Sequence, residues 1–143
     1  MGTRGGLPGY EDTAPSTLNA WRNTLGRSFM HRKLWANDPD CLMLRSSDTE
    51  FPGEAIGTWA RAVAMSGGWR SSPTTWRCSV VRSRELLDFV VELGRAVDDE
   101  AMFGRPPRCP DLLDAGTPTT IEAGELALRA DPRNGTSELE GSA

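Results

Sequence analysis

Lysine is almost missing from this chain. Of 16 basic residues only Lys33 is a lysine, and the rest are arginines. That bias marks a GC-rich coding sequence, a point used below. Histidine is scarcer still, since His31 stands alone. Three cysteines, Cys41, Cys78 and Cys109, lie far apart and form no C-x-x-C pair. One histidine and scattered thiols offer no ligand spacing for zinc, so neither a metal nor any other cofactor is expected. An odd, dispersed cysteine set fits free thiols in a reducing compartment, and the expected location is the cytoplasm. No apolar run nears the roughly 20 residues that a spanning helix needs, which argues against a membrane partner. The start, "MGTRGGLPGY", has no apolar core, so no secretory signal is expected. Gly6 stands where a myristoylation signal wants Ser or Thr. An excess of positive charge is absent as well. The net charge is −4 and the pI is near 5.0, whereas a nucleic-acid binder usually shows a basic face.

What is present fits a folded domain. The 143 residues are 38% apolar and 25% charged, room and composition for about one domain. Residues 1–12 are Gly-rich and read as a loop. A first helix is expected from Thr13, capped by Thr13 or Ser16, with Pro15 in its first turn and Leu18, Trp21, Leu25 and Phe29 on one stripe. "KLWANDPDCLML" follows. Its apolar runs, Leu34–Ala36 and Cys41–Leu44, suit a strand buried on both faces, broken by turn chemistry at Asn37-Asp38-Pro39-Asp40. A second helix is expected after Pro52, with Ile56, Trp59, Ala60, Val63 and Ala64 as its stripe and Gly67-Gly68 as its stop. A third is expected from near Ser83, where Leu86, Val90, Leu93 and Val97 form the strongest helical period in the chain. After the Pro-rich "GRPPRCP", alternation in "ELALRA" and the Asn134-Gly135 turn predict a β-hairpin. Asn134-Gly135-Thr136 reads as that turn and not as a glycosylation acceptor. Strand–helix alternation predicts a parallel α/β sheet. Two of the helices follow one another with no strand between.

In the strand's place stands "GGWRSSPTTWRCSVVRSR", residues 67–84. It holds two of the five tryptophans and four of the 15 arginines, with no apolar period. Trp and Arg together can stack on bases or sugars. Trp69 and Trp76 would share a helix face, but Pro73 between them spoils that helix.

At "RSFMHRKLWANDPDCLMLR" the chain resembles the melibiase clan of glycoside hydrolases, the retaining α-galactosidases. The W-x-N-D-P-D-[CM]-L element looks like that clan's seventh barrel strand and loop, and "WARAVAMSGG" looks like the helix after it. The likeness covers residues 15–68 and resumes over 83–112, about three fifths of the chain. The resemblance implies an α/β fold. It would be the C-terminal portion of a (β/α)8 TIM barrel over residues 1–107, then a linker and the start of a small β-domain over 108–143. The clan continues after "SGG" with an eighth strand and an S-D-D-L or S-N-D-L element, which is absent here. GC-rich codons for residues 68–82, read one base out of phase, spell LALVSDDLALLGRP. This is a strand of the right length followed by the missing motif. The reading is therefore that residues 69–84 are frameshifted, with one base lost near Gly67-Gly68 and one regained near Val81–Arg84.

The chemistry follows from the same residues. Asp38 and Asp40 sit two apart, a spacing that on a strand puts both on one face. A retaining glycosidase needs two carboxyls about 5–5.5 Å apart, one as nucleophile and one as acid/base. Pro39 bends the chain between them. The resemblance places the catalytic aspartates at the ends of the fourth and sixth strands, before residue 1, so no catalytic residue is expected within the chain. Trp35, Asn37, Asp38 and Asp40 are the candidates for substrate binding or support of the sugar pocket. The plainer alternatives are an Asx turn before Pro39 and core packing for Trp35. Arg32 and Arg45 flank the segment and are placed to pair with its acids. His31 reads as a surface or capping residue, and Trp21 and Trp59 as core. The expected function is thus a fragment of a glycoside hydrolase, with a carbohydrate of α-galactoside type as partner of the intact parent and no activity alone. The alternative is a non-catalytic sugar- or partner-binding module that uses residues 69–84. A lone parallel strand would leave both edges unpaired and the Leu86–Val97 stripe with little to cover it, so poor stability is expected.

Overall fold

The computed structural model describes residues 17–37, 44, 53–68 and 81–141. Three helices come first: α1 (Thr17–Arg27), which tightens into a 3-10 turn at Ser28–Met30, α2 (Gly53–Met65) and α3 (Val81–Met102). Three strands follow: β1 (Thr120–Ala123), β2 (Leu126–Asp131) and β3 (Thr136–Glu140), in the order β1-β2-β3. Both strand pairs are antiparallel.

This corrects the expected barrel. The described residues form a helical layer on one face of a three-stranded antiparallel meander, not part of a (β/α)8 barrel. The physical reason is local. A parallel pair needs a long crossover, whereas these strands are joined by tight turns. Gly124 turns β1 into β2 with φ +60°, and Gly135 closes the β2–β3 loop with φ +69°. Asp131 organises that second turn. Its carboxylate accepts the Arg133 N–H at 2.8 Å and the Asn134 side-chain amide at 2.6 Å, and its carbonyl accepts Gly135 N–H at 2.9 Å. The expected hairpin is there, with the left-handed residue at Gly135 alone.

Among the described residues, 34–36 do not form the expected strand. The chain folds back on itself: Arg32, at φ +60°, donates its N–H to Trp35 O at 2.8 Å, and Leu34 N–H reaches Met30 O at 3.1 Å. Leu34 and Trp35 are 67% and 53% exposed, so Trp35 is not core. Residues 38–43 of that expected strand lie outside the described residues, as do the start of the first helix at residues 13–16 and most of the Trp/Arg run. The described chain resumes with α3 at Val81, two residues before the expected start.

α2 is the centre of the layer. Ala55, Ile56, Trp59, Ala60, Ala62, Val63, Ala64 and Met65 are all buried, which makes it apolar nearly all round. Such a helix must be covered on several sides. It packs against α1, α3 and all three strands, and its alanines let those neighbours approach closely. The α3 stripe buries Val90, Leu93 and Val97 in the same core as Ile121, Ala123, Leu126, Leu128 and Ala130 from the sheet. The Leu86–Val97 stripe therefore has a cover that the expected parallel strand did not supply. Each fully buried Val, Leu or Ile contributes about 1.5–3 kcal/mol. Trp21 ties α1 to this core. Its ring lies 5.8 Å from that of Trp59, and its indole N–H donates to Pro118 O at 2.7 Å.

The two helix ends differ instructively. At the end of α3, Gly104 N–H bonds Ala101 O at 3.1 Å and Arg105 N–H bonds Glu100 O at 3.0 Å, the paired bonds of a Schellman cap. At the end of α2, Gly67 N–H makes the first bond, to Ala64 O at 3.3 Å. The second donor, Gly68 N–H, goes instead to a side chain of α3, Asp98, at 2.8 Å. That substitution builds the site below.

Candidate functional site

His31 leaves the 3-10 turn after α1 and enters a fully buried position between α2 and α3. Its Nε2 lies 2.7 Å from Asp98 Oδ1. Its Nδ1 accepts the backbone N–H of Asn37 at 3.2 Å. An amide N–H can only donate, so Nδ1 must be the bare nitrogen and Nε2 must carry the proton, which it gives to Asp98. Asp98 Oδ1 also takes the Gly68 N–H described above. Asn37 completes the node. Its side-chain amide donates to Arg27 O at 3.0 Å and to Ser66 O at 3.3 Å, the carbonyls that end α1 and α2. One asparagine thus ties two helix C-termini together.

Burial lowers the basicity of His31. The Asp98 carboxylate, by its charge and its hydrogen bond, works against that shift, and nearby Arg32 adds to it. The net direction is below the ordinary histidine value of 6.5, so the ring is neutral at pH 7. Both ring nitrogens are occupied and the ring is enclosed, which leaves no nitrogen to take a proton from a substrate. The buried serines at the flanking helix ends turn away to their own helices: Ser28 Oγ to Leu25 O and Ser66 Oγ to Val63 O, each at 2.7 Å. The node holds elements together; it is not a hydrolytic triad.

Glycine is required where the node meets α2. Gly67 has φ +75°, and a Cβ there would meet His31 Cδ2 at 2.5 Å. Gly68 has φ +83°, and its Cβ would fall 1.9 Å from Asn37 O. The two glycines expected as a helix stop also let the His31–Asn37 segment lie directly on the helix end.

A second polar cluster lies in the loop that joins α3 to β1. Asp111 accepts Thr119 N–H at 2.7 Å, Thr119 Oγ1–H at 2.9 Å and Thr120 N–H at 3.3 Å. The thiol of Cys109 also donates to it, at 3.3 Å. Burial alone would raise the Asp111 pKa, but the bonds from Thr119, Cys109 and Thr120 outweigh it and the carboxyl sits below its ordinary value. Burial and the adjacent Asp111 carboxylate push the Cys109 thiol up to about 12. A thiol in that state is a poor nucleophile. Glu100, Glu122 and Glu140 pair with Arg105, Arg108 and Arg129 at the surface. Among the described residues, no three His, Cys, Asp or Glu side chains converge as a metal site would require. Among them, too, no helix is long and apolar enough to cross a membrane.

Of the two candidate pocket residues that are described, the structure brings Asn37 into this node. Trp35 lies two residues away with its ring half exposed. Asp38, Asp40 and Arg45 lie outside the described residues. His31 is fully buried and not at the surface, and it is the residue whose importance the sequence least revealed. One signal for its partner was legible. Gly94, Asp98 and Ala101 form a row at helical spacing beside the apolar stripe, and all three are buried. An acid between two small buried residues asks for a buried partner. No protein-family model matches the chain, and no solved structure matches it.

Proposed function

We propose that this chain is a non-catalytic section of a glycoside hydrolase resembling the retaining α-galactosidases, and that its helix–sheet unit anchors the Asn37-Asp38-Pro39-Asp40 segment at Asn37. The reading takes its activity class from the sequence likeness at "RSFMHRKLWANDPDCLMLR" and takes nothing from the barrel. One observation carries it: Asn37, the first residue of that segment, is buried and its side chain bonds the carbonyls at the ends of α1 and α2. A pocket-supporting loop needs such a rigid root, because side chains that position a substrate must themselves be held. The carboxylates of Asp98 and Asp111 support the same reading, since each is engaged as an acceptor for the protein's own donors. The nucleophile and acid/base of the intact enzyme are assigned upstream of residue 1, and its partner is a carbohydrate of α-galactoside type. A cytoplasmic setting accords with the free thiol of Cys109.

The test has two arms. Purified chain should release no nitrophenol from a nitrophenyl α-galactoside, and resequencing the gene should find an upstream frame encoding the two catalytic aspartates. Hydrolysis by the chain alone, or a locus with no such frame, overturns the proposal.

A further inference from the structure

His31 is held by two neighbours that respond oppositely to a proton. Asn37 N–H donates into Nδ1, and Nε2–H donates to Asp98. A neutral ring satisfies both, because one nitrogen accepts while the other donates. A protonated ring carries hydrogen on both nitrogens. The Asp98 contact then becomes a charge-assisted bond between imidazolium and carboxylate, which is the stronger kind. The Asn37 contact becomes two N–H groups facing each other with no acceptor between them.

We propose that His31 is an acid-operated latch: the neutral ring holds the residue 32–37 loop on the α2–α3 junction, and protonation frees its backbone at Asn37 while α3 stays attached through Asp98. The charged groups acting on the ring are Asp98 from α3 and Arg32 from its own loop. α2 meets the ring with Gly67, which carries no charge, and α1 reaches the node through the Arg27 carbonyl on Asn37. Burial opposes protonation, so the latch opens only on the acid side of the ordinary value of 6.5. The loop bears Leu34 and Trp35, both already exposed, and stays tethered through the Asn37 side-chain amide to Arg27 O and Ser66 O, so the release is confined to the Asn37 backbone.

His31 is the chain's sole histidine, so ring-labelled protein gives one imidazole signal. The experiment titrates the labelled full chain by NMR across the histidine range, from about pH 7.5 to about pH 4.5. The ring should titrate at a single midpoint below 6.5, with the Asn37 amide shifting at that same midpoint. Hydrogen exchange at Asn37, corrected for its intrinsic pH dependence, should rise about tenfold, the effect of losing one ordinary hydrogen bond. The Gly68 amide should keep its protection and the far-UV circular dichroism should not change. In His31→Gln the Asn37 step should vanish. The latch is overturned by an Asn37 amide that ignores the ring's titration, by a ring that titrates only as the helices unfold, or by a step that survives in His31→Gln.

Discussion

Replacing Gly68 with alanine tests the node directly, because Gly104 supplies a matched control. The two glycines share nearly the same left-handed φ, +83° and +82°. At Gly104 an added Cβ would meet nothing within 4 Å. Gly104→Ala should therefore cost only the left-handed strain of an L-residue, about 1–2 kcal/mol, partly offset by a stiffer unfolded chain. At Gly68 the same Cβ would lie 1.9 Å from Asn37 O and 2.7 Å from Asn37 C. Backbone cannot rotate away as a side chain can, so one segment must move by more than an ångström. That displacement breaks the Gly68–Asp98 and Asn37–His31 bonds, at 2.8 Å and 3.2 Å. One buried and one partly buried bond left with unsatisfied partners add about 3–4 kcal/mol. The total for Gly68→Ala is about 5 kcal/mol, comparable with the whole stability of a small domain. Urea unfolding followed by far-UV circular dichroism measures both variants on one scale. Equal losses for the two, within about 1 kcal/mol, would refute the packing of the His31–Asn37 segment on the end of α2.

Three further outcomes are expected. Trp21→Phe loses the bond to Pro118 O and part of the Trp59 contact, and should cost about 2–3 kcal/mol in the same unfolding assay; a loss below about 0.5 kcal/mol would deny that the indole ties α1 to α2 and to the loop before β1. The Asp111 pKa is depressed in the fold, so its contribution is complete above the ordinary value of 3.8 and is lost as pH falls through and below it. Asp111→Asn should accordingly show a shallower fall of Tm with acid than the parent chain, and parallel curves would contradict the assignment. Cys109, with its thiol pushed up to about 12, should react with a thiol reagent at pH 8 far more slowly in folded than in urea-unfolded protein, as read by mass spectrometry of its peptide.

Local pattern determined much of this molecule. The stripes at Ile56–Ala64 and Leu86–Val97 marked two helices because period 3.6 survives any partner. Gly67-Gly68 marked a helix end because left-handed backbone there all but demands glycine. The alternation in "ELALRA" and the Asn134-Gly135 turn marked β2 and β3 because a hairpin is a short-range object. The expected parallel barrel failed for the converse reason. Which strands pair, and in what sense, depends on contacts between distant segments, and neighbouring hairpins outcompeted an imagined crossover.

The node shows the same division at residue scale. Asn37 stood out because Asn-Asp-Pro-Asp is made of residue types that favour turns. His31 did not, because nothing adjacent in the chain requires a buried imidazole there. Its partners come from Asn37, six residues on, and from Asp98, 67 residues on. Local sequence marked the second and third helices, the glycine stop after α2 and the β2–β3 hairpin, since those obey local stereochemistry. Tertiary structure alone decided that a lone histidine would be buried, neutral and doubly bonded. Its protonation state is set by desolvation and by a carboxylate that only the fold brings within 2.7 Å.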